Sequence, residues 1–175
     1  AKVLVSGQEK TVTTFETVID EVTKEETKIE KTGPVIKDTE KNLKLLADSW
    51  RMAQEIELAI PVLAKAAELS KSGKSYVLLG NLYLSEDKLE AAVDSIKKGL
   101  KKGNITQISQ VHLTLGQAYF ELLKFDDAKK EFRIAARDKS KKIKTQANNW
   151  IKYTENEEIR VKNLALRRDY IQSQS

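Results

Sequence analysis

An all-α fold made of stacked antiparallel helix pairs is what this sequence predicts, and three observations carry the prediction. The stretch "YVLLGNLYLSEDKLEAAVDSI" at residues 76–96 is nearly restated by "HLTLGQAYFELLKFDDAKKEF", which starts at His112. A third of the 175 residues are charged, 6% are aromatic, and there are only two Pro and seven Gly. That profile suits solvated helices better than a β-sandwich. No apolar run approaches the roughly 18 to 20 residues that a membrane-crossing helix needs.

The same composition excludes several chemistries. There is no Cys and a single His, so neither a disulfide nor a thiolate zinc site can be assembled. The first residues lack the basic-then-apolar order of a secretory signal, and the chain opens on Ala1, so it is expected to be a mature or trimmed piece of a longer protein. The net charge of +5 is uneven: the first forty residues hold nine acids against six lysines, leaving +8 on the remainder. Lys outnumbers Arg and aromatics are few, which argues against a nucleic-acid face.

Residues 1–38 form an N-terminal segment apart from the repeat. "AKVLVSGQEK" reads as the tail of a helix stopped at Gly7. In "TVTTFETVIDEVTKEETKIEK", Val12, Phe15, Ile19 and Val22 fall at helical spacing, with Thr13 and Glu16 as a capping box, so a helix is the first choice. The many Thr and Val residues leave a strand or hairpin as the alternative. "KTGPVIKDTEKN" reads as a turn broken by Gly33 and Pro34. This segment is expected to be an insertion, the end of an earlier repeat, or both.

Residues 39–175 hold the repeats. Aligning Gly80 with Gly116, a spacing of 36, matches Tyr76, Leu79, Gly80, Tyr83, Ala92 and Ile96 to His112, Leu115, Gly116, Tyr119, Ala128 and Phe132. A more divergent copy lies 33 residues earlier, with Leu46, Ala47, Trp50, Ala59, Leu63 and Ala66. The units are expected at about 40–72, 73–108 and 109–142, with the extra residues of the longer spacing placed at 103–105. Pro61 is expected in the first turn of a helix beginning near Glu57, where a missing N–H matters little. Acids in "SEDKLEAA" and "FDDAKKEF" suit helix starts. The basic runs "KKGLKKGN" and "RDKSKKIK" are both expected at helix ends, where cations meet the negative pole of the macrodipole. Trp150, 34 residues after Gly116, lies inside the last element: Ala147, Trp150, Ile151, Val161, Leu164 and Leu166 mark a capping helix at about 143–168. Gly and Ala are expected where paired helices cross closely, and the large apolar residues fill the space to the next helix.

This pattern resembles the tetratricopeptide repeat, a helix-turn-helix unit of about 34 residues. The closing Pro of that repeat is replaced here by Asn104 and Ser140. The resemblance implies a right-handed superhelix whose first helices line a concave groove that holds a partner polypeptide. By alignment the groove-facing residues are Lys44, Asp48 and Arg51, then Lys74, Val77, Asn81 and Leu84, then Gln110, Leu113, Gln117, Phe120 and Glu121. The partner-binding set drawn from them is Lys44, Arg51, Lys74, Val77, Asn81, Leu84, Leu113, Gln117 and Phe120. Asn81 and Gln117 can each donate to and accept from a peptide backbone. The family's carboxylate clamp is not kept: Lys44 matches, but Asp48, Leu78, Gln110 and Thr114 replace its other members. A chaperone C-terminal tail is therefore not the expected ligand.

"LLADSW", "AIPVLAKAAELSKSGKSYVLLGNLYL" and "ANNWIKYTENEEIRVKNL" are also similar to the C-terminal part of bacterial tetratricopeptide proteins encoded with TonB systems, over residues 41–168. That resemblance implies a Gram-negative periplasmic location and TonB, ExbB or ExbD as partners; a cytoplasmic adaptor or chaperone-like binder is the alternative, and a basic nucleic-acid binder the third.

An enzyme is not expected. His112 takes a large-residue slot of its unit and is expected to be packed and hydrogen bonded, with no second His or Cys to complete a metal site. Glu86 with Asp87, Asp126 with Asp127, and Glu157 with Glu158 are sequence neighbours expected on solvated helix faces, without an apolar pocket to set them apart as acid and base. No phosphate-binding glycine loop or nucleophile elbow is present. No catalytic residue, metal, cofactor or small-molecule substrate is expected.

Overall fold

The computed structural model describes residues 11–19, 26–34 and 38–174, with side chains from residue 38 onward. Strand β1 (Thr11–Ile19) pairs antiparallel with β2 (Glu26–Pro34), from Thr11 opposite Pro34 to Ile19 opposite Glu26. The helix expected over residues 12–22 is thus corrected to a hairpin. Every residue of β1 except Glu16 is β-branched or aromatic, and such side chains lose rotamer freedom in a helix but fit a pleated strand. Gly33 and Pro34 end β2 instead of making a turn. Residues 1–10, with the stop expected at Gly7, lie outside the described residues.

Seven helices follow: α1 (Glu40–Met52), α2 (Ile56–Leu69), α3 (Lys74–Ser85), α4 (Leu89–Lys102), α5 (Ile108–Glu121), α6 (Phe125–Ala135) and α7 (Lys141–Ser173). They pack as the pairs α1/α2, α3/α4 and α5/α6, each second helix also touching the first helix of the next pair. Thr39 starts the series by accepting a hydrogen bond from the Asn42 N–H at 3.2 Å.

The crossings repeat atom for atom in kind. A Cβ added to Gly80 would stand 2.5 Å from Ile96 Cγ1, and one added to Gly116 would stand 2.5 Å from Phe132 Cε1. Both partners lie sixteen residues on and are fully buried, and Ala92 and Ala128 sit at zero exposure beside them. In the first pair Ala47 and Leu63 keep the same offset, both buried.

The turns inside the pairs repeat as well, without the glycine that usually marks them. Gln54, Asp87 and Leu123 all adopt left-handed backbone, with φ of 64°, 55° and 56°. After each, the N–H of Glu55, Lys88 or Lys124 reaches back 2.9 Å to the carbonyl of Trp50, Tyr83 or Tyr119. This is the Schellman closure of a helix C-terminus. The α4–α5 connection is longer and uses positive φ at Gly103, Asn104 and Gln107, so the additional residues of that unit are absorbed there.

Two local expectations change. Pro61 lies in the second turn of α2, not the first. Its missing N–H leaves the Glu57 carbonyl, on an exposed residue, to water. The run "RDKSKKIK" does not end a helix: Lys141, Lys142 and Lys144 form the first turn of α7, at the positive pole. The other basic run behaves as expected, with Lys101 and Lys102 in the last turn of α4. Lys102 Nζ also donates to the Ala67 and Glu68 carbonyls at 2.8 and 3.1 Å, closing the end of α2, and stands 5.2 Å from the Tyr76 ring centre.

α7 closes the stack. At 33 residues it is more than twice the length of any other helix, and Ala147, Trp150, Ile151 and Val161 pack on the cluster of Leu113, Phe120, Phe125, Ala128 and Phe132. Trp150 stacks on Phe132 at 5.5 Å between ring centres.

Candidate functional site

The first helices of successive pairs form one wall, and between α1 and α3 that wall opens into a cavity of about 220 Å³. Ala47, Ile56, Leu63, Leu78 and Leu82 make its apolar floor, and Asp48, Arg51, Asn81 and Ser85 line the remainder. Helical spacing produces this: Asp48 and Arg51 are one turn apart on α1, and Leu78, Asn81 and Ser85 succeed one another by turns on α3. Arg51 Nη2 donates to Asp48 Oδ1 at 3.0 Å, with both side chains about half exposed. Asn81 is exposed and lines the same opening.

Of the nine residues expected to bind a partner, Arg51 and Asn81 meet in this cavity. Lys44 lies about two turns before Arg51 on α1, 3.9 Å from Glu40, and Lys74 is exposed at the start of α3. Val77 and Leu84 are half-buried and lean on the cluster of Val93, Ile96, Val111, Leu115 and Ala118. Gln117 is half-buried, whereas Gln110 and Glu121 are exposed.

Leu113 and Phe120 must be withdrawn as groove residues, because they are buried at 3% and 9% exposure. The Phe120 ring is enclosed by Phe125, Trp150 and Tyr153, at 5.8, 5.6 and 5.2 Å between centres. The expected cap covers not only the open end of the core but also the third segment of the wall. Gln146, Asn149, Trp150 and Tyr153 of α7 line a second cavity of about 270 Å³. The sequence reading placed Trp150 in the cap but named none of the four as lining a surface cavity; the signal was Trp150 and Tyr153 one turn apart with polar residues alongside.

The titratable groups hold helices together. His112 Nδ1 lies 2.6 Å from Glu131 Oε2, joining α5 to α6, both side chains 16% exposed. Glu158 is not simply solvated. It accepts from Lys129 of α6 at 2.7 Å and from Lys162 at 2.6 Å, and these two hydrogen bonds, Lys129 first, hold its carboxyl at about 2. The Lys129 ammonium is pushed up by its bonds to Glu158 and then Asp126. Glu157 is lowered by Arg160, which donates to it through Nε at 2.8 Å. Among the described residues no cluster of three or more His, Asp or Glu is placed to hold a metal ion, and no helix is long and apolar enough to cross a membrane.

Comparison with known proteins places these features. Residues 73–101, which span α3 and most of α4, match the tetratricopeptide repeat. No curated protein sequence matches the chain. Among solved structures it is similar to MamA, at 19% identity and a TM-score of 0.54 over 78% of this chain and 76% of that one. It is similar to the Yersinia enterocolitica type III secretion chaperone SycD in complex with a peptide of the translocator YopD, at 14% identity and a TM-score of 0.56 over 67% and 92%. The first tetratricopeptide domain of Spaghetti bound to an HSP90 peptide gives 15% identity and a TM-score of 0.56 over 70% and 94%. The helical part of the chain therefore has the fold of tetratricopeptide superhelices, closed by a C-terminal capping helix, and its central pair matches the repeat.

Proposed function

We propose that the protein is a non-enzymatic scaffold that holds a stretch of partner polypeptide along the α1–α3 part of its concave wall. The observation that carries this reading is the cavity between those helices: an apolar floor beside Arg51, Asp48 and Asn81, whose donors and acceptors can meet a peptide backbone. Two structures of the same fold, SycD with a YopD peptide and Spaghetti with an HSP90 peptide, are peptide complexes and support it by fold alone. The partner differs from a chaperone tail, because Asp48, Leu78, Gln110 and Thr114 stand where a carboxylate clamp needs Asn, Asn, Lys and Arg. The similarity of residues 41–168 to tetratricopeptide proteins encoded with TonB systems supports a periplasmic partner in the TonB, ExbB and ExbD machinery.

Arg51→Ala combined with Asn81→Ala should weaken partner capture from a Gram-negative envelope extract while leaving the thermal midpoint unchanged. Retention of the same partners by the double variant would remove the α1–α3 wall as the site. Capture of envelope proteins other than TonB, ExbB and ExbD, lost in the variant, would keep the wall and discard that partner.

A further inference from the structure

The two edges of the helix stack carry opposite charge. Because successive helices alternate in direction, the turns inside the pairs lie along one edge and the joints between pairs along the other. Turn residues 53–58, 86–90 and 121–127 each sum to −2: two acids in the first, three acids against Lys88 in the second, three against Lys124 in the third. The joints, at residues 68–74, 98–108 and 137–144, hold ten cations and two acids, Glu68 and Asp138. They form one continuous border. The Gly73 N–H donates to the Gly103 carbonyl at 2.7 Å, the Ser72 hydroxyl to the Asn104 carbonyl at 2.8 Å, and the Ser109 hydroxyl to the Asp138 carboxylate.

The fold accounts for only part of this charge. Lys98 and Lys101 suit the C-terminal end of α4, but Lys141, Lys142 and Lys144 crowd the first turn of α7, at the pole that repels cations, with no acid in that turn and no side chain capping it. Lys71, Lys74, Lys98, Lys101 and the five cations of residues 137–144 are exposed and make no ion pair among the described residues.

Side-chain chemistry decides what meets this border. Lys is depleted in protein interfaces, where Arg and aromatics are enriched, and a nucleic-acid face adds stacking rings or Arg. Here nine of the ten cations are Lys, and the three joints hold no aromatic residue. A second copy offers its acidic turns but brings a net charge of the same sign. A bilayer with anionic headgroups needs no pocket and no register, attracts each Lys that reaches its surface, and lets apolar side chains among the cations enter the headgroup layer. Leu69 and Ile108, each 51% exposed, stand at the first two joints.

We propose that the basic border formed by the three joints is a docking surface for an anionic membrane, met with the acidic turns pointing away. The α1–α3 cavity, lined near those turns by Arg51, Ile56 and Ser85, then faces away from the lipid. The test is co-sedimentation of the whole chain with phosphatidylcholine vesicles that hold either no phosphatidylglycerol or about a third of it. Binding should require the anionic lipid and fall away at high salt. Lys141→Glu with Lys142→Glu should weaken it about tenfold or more, while circular dichroism is unchanged and the thermal midpoint does not fall, since acids suit a helix start. Lys88→Glu with Lys124→Glu makes the same change in net charge on the far edge and should leave binding within about twofold of the parent. Arg51→Ala with Asn81→Ala should also leave it unaltered, which separates this border from the wall. No binding to the phosphatidylglycerol vesicles at low salt, or equal losses in the two charge-reversed pairs, overturns the proposal. Capture by polyglutamate or by duplex DNA that is lost in Lys141→Glu with Lys142→Glu, without vesicle binding, overturns it in favour of an acidic protein or a nucleic acid. Salt-sensitive self-association lost in the same variant, again without vesicle binding, overturns it in favour of a second copy.

Discussion

A methyl group at position 116 would stand 2.5 Å from the rim of the Phe132 ring, and one at position 80 equally close to Ile96. Neither neighbour has room to move, since both are fully buried. Gly116→Ala should lower unfolding stability by about 1–3 kcal/mol through overpacking, read by urea denaturation, with Gly80→Ala giving a loss of the same order. The opposite sign is expected in the turns. Leu123 holds φ at 56° with its side chain 59% exposed, so the left-handed strain of a γ-branched residue is uncompensated by burial. Leu123→Gly should raise stability by up to about 1 kcal/mol, the strain relieved less the entropy a glycine adds to the unfolded chain. A loss instead would show that the Leu123 side chain has a partner. These turn positions were invisible in the sequence: Gln54, Asp87 and Leu123 share a backbone state but no chemistry, and only the register of the helices forces it on them.

At the scale of elements, α6 and α7 are joined by a charged bridge as well as by rings. Because Lys129 and Lys162 hold the Glu158 carboxyl down from 4.5 to about 2, its contribution to stability is present above about 4.5 and lost as the pH falls toward about 2. Glu158→Gln should therefore be less stable than the parent chain at neutral pH, and the gap should close on acidification through that window. A gap independent of pH would assign the bridge no electrostatic role. Trp150 anchors the same pair of elements from the apolar side, ring against ring with Phe132, Phe120 and Tyr153. Trp150→Ala should cost about 3 kcal/mol, measured by thermal or urea unfolding, and should loosen α7 enough to uncover Phe120. The pairing of Glu158 with Lys129 spans 29 residues, and no spacing rule on one helix points to it. The N-terminal hairpin shows the reverse failure. Its apolar residues do recur at helical spacing, but a run of β-branched side chains outweighs periodicity over so short a segment.

For the whole molecule, stability arises between units, each pair lending its apolar face to the next. The concave wall is accordingly shared out: its first two segments stay open around the α1–α3 cavity, while α7 occupies the third. The sequence by itself determined the helix pairs, their close crossings at Gly80 and Gly116, and the capping helix that contains Trp150. It could do so because those features depend on residue size and spacing within one unit. What only the tertiary structure decided is which wall residues remain available. Leu113 and Phe120 occupy groove positions by alignment, yet Trp150 and Tyr153, 30 or more residues away, bury Phe120. Exposure is set by which long-range neighbour arrives, and a local pattern of residues carries no record of that arrival.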